Sequence, residues 1–190
     1  MEREMDLRGK EAVSLSSLVK QEYQIPDSYY FGEVKRGLRN SDGTGVLIGV
    51  TKVGSVQGYL IEDGRRIPVP GKLYYRGIDL NEIVEAHRKS GTFGYEEVAY
   101  LLLMGHLPTK SELSYFNDIM CRARKLPEGF TEGMIMRHPS RDIMNDLARS
   151  VLLLYSYDEN PDDISAENLL TQSIKLIGSF PAIVANAYAV

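Results

Sequence analysis

The 190-residue sequence predicts a mainly α-helical protein preceded by an irregular arm and a small β-hairpin region. Three observations carry that prediction. Apolar residues recur at helical spacing from Asp79 to the end. An Asp63-Gly64 pair sits between short β-type runs. Thr109 and Glu112 stand in capping-box spacing ahead of an apolar stripe.

Residues 1–45 are read as an N-terminal helix and arm. Leu15, Leu18 and Val19 mark a short amphipathic helix within residues 6–22, and Pro26, Gly37, Gly43 and Gly45 argue against regular structure beyond it. Residues 46–78 are read as the hairpin region. Val46-Leu47-Ile48, Val50, Val53 and Val56 precede Tyr59-Leu60-Ile61, and Asp63-Gly64 supplies the turn. Pro68 and Pro70 are expected to keep this segment off any central strand.

Residues 79–190 are read as the helical part. Asp79 is expected to cap a first helix running to about Lys89, with Leu80, Ile83, Val84 and His87 on one side and Ser90-Gly91 as its stop. A second helix covers Tyr95 to Met104, ended by Gly105 and Pro108. The third starts at the Thr109 cap, carries Leu113, Phe116, Ile119 and Met120, and stops near Pro127. The fourth begins near Ser140 or Asp142 and reaches about Tyr157, with Ile143, Leu147, Val151 and Leu154 as its stripe, widened by Leu152 and Leu153. After an acidic loop from Asp158 to Asp163, Ser165 caps a fifth helix with Leu169, Ile174 and Ile177 inside. Pro181, with Ser179 nearby, is expected to open a sixth. No glycine or basic last turn follows Pro181 before Val190, so the sequence reads as a piece of something longer.

Composition excludes several classes. The net charge of −4 is too mild for a nucleic-acid footprint. No apolar run approaches the ~20 residues that span a bilayer, and the charged start, Met1 to Lys10, is not expected to act as a signal peptide. The single cysteine, Cys121, permits no intrachain disulfide and suits a reducing cytoplasm; a thiol of this kind is expected to be structural rather than nucleophilic.

The chemistry-bearing residues are sparse. The sequence has neither a phosphate-binding P-loop nor a dinucleotide fingerprint, and Ser14 to Ser17 fits no nucleophile elbow. His87, His106 and His138 lie far apart and share no metal-ligand spacing with Cys121. His87 and His106 each stand near a helix C-terminus, where a basic ring suits the helix dipole, and His138 precedes a helix cap. Arg76 is an anion-binding candidate, although pairing with a carboxylate or a helix C-terminus is the commoner use. No metal or cofactor is expected.

Four stretches together resemble the citrate synthase family. They are Gly71-Lys-Leu-Tyr-Tyr-Arg-Gly-Ile-Asp-Leu80, Phe93 to Thr109 with its Gly-His-Leu-Pro turn, Arg137-His-Pro-Ser140 with the helix to Tyr157-Asp158, and Lys175 to Tyr188. Their order and spacing agree over roughly residues 45 to 190, with Ser140 and Ile78 as departures where the family more often has methionine and an aromatic. The resemblance implies the first helices of that family's all-helical large domain, without the small domain that closes over substrate. It further implies a parent enzyme that condenses acetyl-CoA with oxaloacetate to give citrate, acting as a homodimer or higher homo-oligomer. A 2-methylcitrate synthase and a non-catalytic helical interaction module on the same scaffold are the alternatives. The family's catalytic histidines and aspartate and its substrate-binding arginines lie beyond the matched stretches, so the resemblance assigns no catalytic, substrate-binding or metal residue here.

Overall fold

The computed structural model describes residues 15–20, 24–26, 28 and 51–190. The expected arm and the start of the hairpin region, including Val46 to Val50, lie largely outside the described residues. The described elements are mainly helical with one small antiparallel sheet. They divide into two units, residues 20–106 and residues 1–19 with 107–190.

In the first unit, β1 (Gly54–Glu62), β2 (Arg65–Tyr75) and β3 (Ile78–Asp79) form an antiparallel sheet in that order. Asp63 and Gly64 have φ of 50° and 72°, the left-handed pair that a two-residue turn matching the strand twist requires. Arg76 and Gly77 repeat it at 48° and 83° between β2 and β3. The expectation about the prolines needs correcting, since both lie in the middle strand. They are tolerated because β3 pairs only with Tyr74 and Tyr75, leaving the proline half of β2 bonded on one side. Pro70 also falls in a bulge: β1 passes from Gln57 to Tyr59 while β2 passes from Lys72 to Pro68.

Helix α1 (Leu80–Ser90) follows directly, capped by the Asp79 carboxylate, which accepts from Asn81 N at 2.9 Å. Lys72 on β2 stands 3.4 Å from the other oxygen of Asp79. Ile83 is its buried residue; Val84, expected inside, is exposed. Gly91 ends it in the left-handed conformation at φ 67°. Helix α2 (Tyr95–Met104) buries Ala99, Tyr100, Leu101 and Met104, and ends at Gly105 in the same way.

In the second unit, α3 (Lys110–Ala123) begins with the full capping box, Thr109 Oγ1 accepting from Glu112 N and Glu112 Oε2 accepting from Thr109 N. It buries Phe116, Ile119, Met120 and Ala123. The methionine-rich stretch Thr131–Met136 is a π-helical segment. Helix α4 (Ile143–Leu154) is capped by Asp142 and continues as a 3-10 turn at Tyr155–Tyr157. Phe130, Ile135, Ile183 and Ala187 form a core cluster, with Ile143, Leu147, Leu153 and Leu154 of α4 packed on it. Leu152, expected to widen the inner stripe, is 74% exposed.

The expected fifth and sixth helices are one, α5 (Ala166–Ala189), with Pro181 inside it. Proline in a helix interior costs about 3 kcal/mol. The helix continues because its buried face runs on both sides of the break, through Leu170, Ile174 and Gly178 before it and Ile183 and Ala187 after it. Side-chain donors also serve the backbone here: Ser179 Oγ donates to Lys175 O at 2.6 Å and Asn186 Nδ2 to Ala182 O at 2.8 Å. The inward residue of the first turns is Leu170, while Leu169 is exposed. Leu15 and Ser16, in the helical stretch 15–20, are buried.

Candidate functional site

The candidate residues read from the sequence do not converge. Among the described residues, no three His, Cys, Asp or Glu side chains are grouped to hold a metal ion. Arg76, the possible anion binder, is committed to a helix end: its Nη2 donates to Leu102 O at 2.8 Å and its Nε at 3.3 Å. Leu102 lies in the last turn of α2, where carbonyls lack helical partners and the dipole favours a cation. His106 is exposed and meets Tyr100 edge to face at 5.6 Å. Cys121, expected to be a buried structural thiol, is exposed on α3.

His87 has the richest surroundings of the three histidines. It stands in the last turn of α1, and the left-handed Gly91 turns the chain so that Thr92 comes back against it. His87 Nδ1 lies 2.8 Å from Thr92 Oγ1, which lies 2.7 Å from Ser90 Oγ. On the other side of the ring, Nε2 is buried and faces Glu97 Oε2 of α2 at 3.5 Å, within ion-pair reach but beyond a hydrogen bond. Gly94 makes room for the ring, since a Cβ there would sit 2.6 Å from His87 Cδ2.

The second polar cluster was not foreseen in the sequence. On α4, Asp146 and Ser150 are 1% and 0% exposed. Arg149 pairs with Asp146 Oδ1 and donates to His138 O at 2.9 Å, holding the turn before the helix. Asp146 Oδ2, Arg149 Nε and Ser150 Oγ are buried without a hydrogen-bond partner among the described residues. The spacing i, i+3, i+4 puts these three on one face. An acid and an arginine so spaced usually make a solvated surface pair, which is why the apolar stripe alone drew notice. His138 itself is exposed and enters only through its carbonyl.

Comparison with known proteins identifies the scaffold. Residues 42–190 match the family model described as "Citrate synthase, C-terminal domain". A citrate synthase of Haloferax volcanii is 30% identical over 162 residues, covering 83% of this chain and 37% of that protein. A 2-methylcitrate synthase of Shewanella oneidensis is 30% identical over 116 residues, 61% of this chain and 28% of that protein. The crystal structure of citrate synthase from Pyrobaculum aerophilum superposes with a TM-score of 0.59 at 28% identity, covering 83% of this chain and 40% of that one. The chain thus spans well under half the length of these relatives. A family match over most of the sequence, on the same helical fold with its small leading sheet, places this chain in the citrate synthase family.

Proposed function

We propose that this chain is the N-terminal segment of a citrate synthase-type acyltransferase, supplying scaffold helices of the large domain rather than the reacting groups. The full protein would condense acetyl-CoA with oxaloacetate to give citrate and CoA in the cytoplasm, as the entry step of the tricarboxylic acid cycle. The observation that carries this reading is the match over residues 42–190, joined to the share of the relatives' length that the chain spans. The chemistry explains why the segment would be inactive alone. A thioester methyl is a weak acid, so its removal needs a carboxylate base and donors on the enol and ketone oxygens. Oxaloacetate needs arginine forks for its carboxylates. The clusters around His87 and Asp146 do not make that set. Propionyl-CoA as the acyl donor is a second reading, favoured by relatives named 2-methylcitrate synthase.

We further propose that the chain associates with itself. Met144 (71%) and Leu152 on α4, and Val184 and Tyr188 on α5, are large exposed apolar side chains, a pattern that favours association. A compact monomer at micromolar concentration, seen by sizing with light scattering, overturns this.

The function is tested by thiol release with acetyl-CoA and oxaloacetate, on this chain beside the full-length protein. Turnover by the full-length protein alone is the expected result. Turnover by the 190-residue chain means that the reacting groups lie within it and overturns the scaffold reading.

A further inference from the structure

The Thr92–His87–Glu97 array has the parts of an activated hydroxyl nucleophile. A hydroxyl is weak as a nucleophile until a base within about 2.6–3.2 Å takes its proton. Here Thr92 Oγ1 is 2.7 Å from Ser90 Oγ and 2.8 Å from His87 Nδ1. Ser90 turns its own proton to the Ala86 and His87 carbonyls, so the Thr92 hydroxyl has two acceptors, and its turn toward Nδ1 is the reactive one. The base works only if that nitrogen carries the lone pair, so the proton must sit on the other. A carboxylate accepts hydrogen bonds and donates none. Glu97 Oε2 at 3.5 Å is too far to accept a hydrogen bond from Nε2, but its negative charge favours a proton on that nitrogen over a lone pair and leaves Nδ1 to accept. The same carboxylate stabilises the imidazolium that forms when the proton moves. This is the logic of a hydroxyl, imidazole and carboxylate array with the two ring nitrogens exchanged. Thr92 is exposed, whereas Nε2 is buried, so an acyl donor in solution reaches the hydroxyl and not the far nitrogen. Gly94 leaves the space the ring occupies, because any side chain there would overlap it.

From this geometry we propose that Thr92 is an acyl-acceptor site: its hydroxyl takes an acyl group from an activated ester or thioester, with His87 as general base and Glu97 as positioning residue. The step balances without a redox partner. Thr92 Oγ1 bonds to the donor's carbonyl carbon, the carbon–oxygen or carbon–sulfur bond of the donor breaks, and the proton passes through His87 Nδ1 to the leaving group. The product is O-acyl-Thr92 and a free alcohol or thiol. The proposal does not depend on condensation of acetyl-CoA with oxaloacetate, and its assay contains no oxaloacetate.

The test is incubation of the 190-residue chain with p-nitrophenyl acetate, and separately with acetyl-CoA, followed by peptide mass spectrometry. The expected result is one acetyl group on the peptide carrying Thr92. Thr92→Val abolishes it, Thr92→Ser restores it, and His87→Gln slows it about a hundredfold. Glu97→Gln slows it with Thr92 and His87 both present, and Gly94→Ala slows it by displacing the His87 ring. Nitrogen NMR of the His87 ring shows the Nε2–H tautomer in the wild type and a shifted population in Glu97→Gln. Circular dichroism melts confirm that each variant is folded, and Thr92→Ser covers the case in which Thr92→Val unfolds. Labelling of the ester arm alone limits the site to oxygen esters, and labelling of both extends it to thioesters. Acetyl groups only on lysines, on Cys121 or on His87, or a Thr92 label unchanged in His87→Gln, overturn the proposal.

Discussion

Gly178 of α5 crosses directly over Ala123, the last residue of α3: a Cβ on Gly178 would lie 2.5 Å from the Ala123 Cβ and 2.9 Å from its carbonyl carbon. Ser179 beside it, whose proton goes mainly to Lys175 O, also has its Oγ 3.4 Å from Ala123 O, so the two helices meet at backbone as well as side chain. Neither obstructing atom is the free end of a flexible side chain, so relief requires the helices to part. Overpacking of this kind costs about 1–3 kcal/mol. Gly178→Ala is therefore expected to lower the urea midpoint of unfolding, although alanine is the better helix former by about 1 kcal/mol. A midpoint equal to or above the wild type's would mean that the crossing is looser than described.

The box at the start of α3 gives a smaller and more local effect. Thr109→Ala removes the acceptor for Glu112 N, and losing an N-cap side chain typically costs ~1 kcal/mol. Thr109→Ser keeps the oxygen and should be close to neutral. Equal urea midpoints for the two variants would show that Glu112, accepting from Thr109 N at 2.7 Å, holds this helix end without the hydroxyl.

Such local signals were legible in the sequence because they act over a few residues. Asp63-Gly64 turns the hairpin, and Asp79, Thr109 and Ser165 cap the helices expected of them. Arg76 also met its commoner expectation, a helix C-terminus. What went unread depends on tertiary balance. Pro181 locally favours a helix start, yet the buried residues on both sides of it carry one helix through. Leu169 and Leu170 are indistinguishable by hydrophobicity, and only packing selects Leu170. Asp146 reads as a surface residue by type, yet it is 1% exposed. The Thr92–His87 contact needs the left-handed Gly91, and while glycine there announced a helix stop, it did not announce which side chain would fold back.

The α4 cluster makes a sharper demand. Asp146 is almost fully buried and Arg149 is its ionic partner. Removing the cation alone leaves a buried carboxylate uncompensated, which costs about 3–5 kcal/mol. Arg149→Met should be destabilising on that scale and should also release His138 O, which Arg149 holds at 2.9 Å. Adding Asp146→Asn removes the charge at nearly constant shape and should recover a large part of the loss. A double variant no more stable than Arg149→Met would place the destabilisation in the lost His138 clamp, and not in the charge.

The junction of sheet and helix at Asp79 sets an acid-side prediction. Its carboxyl is held below its ordinary value of 3.8, first by the hydrogen bond from the Asn81 backbone and then by Lys72. A carboxyl depressed on folding contributes stability that is present above its unfolded value and lost as pH falls through the folded one. Lys72 is correspondingly raised above 10.5, mainly by the same Asp79, so its share persists to high pH and is lost only as pH rises through that elevated value. Both groups are solvent-screened, so the effect is modest in size but specific in pH. Asparagine caps helices as well as aspartate does, yet does not titrate. Asp79→Asn should therefore keep α1 intact near neutral pH while flattening the loss of stability as pH falls below the ordinary carboxyl value of 3.8. The check is a set of urea midpoints across that range for both proteins. Parallel acid limbs would show that the Asn81 and Lys72 interactions do not distinguish the folded from the unfolded state.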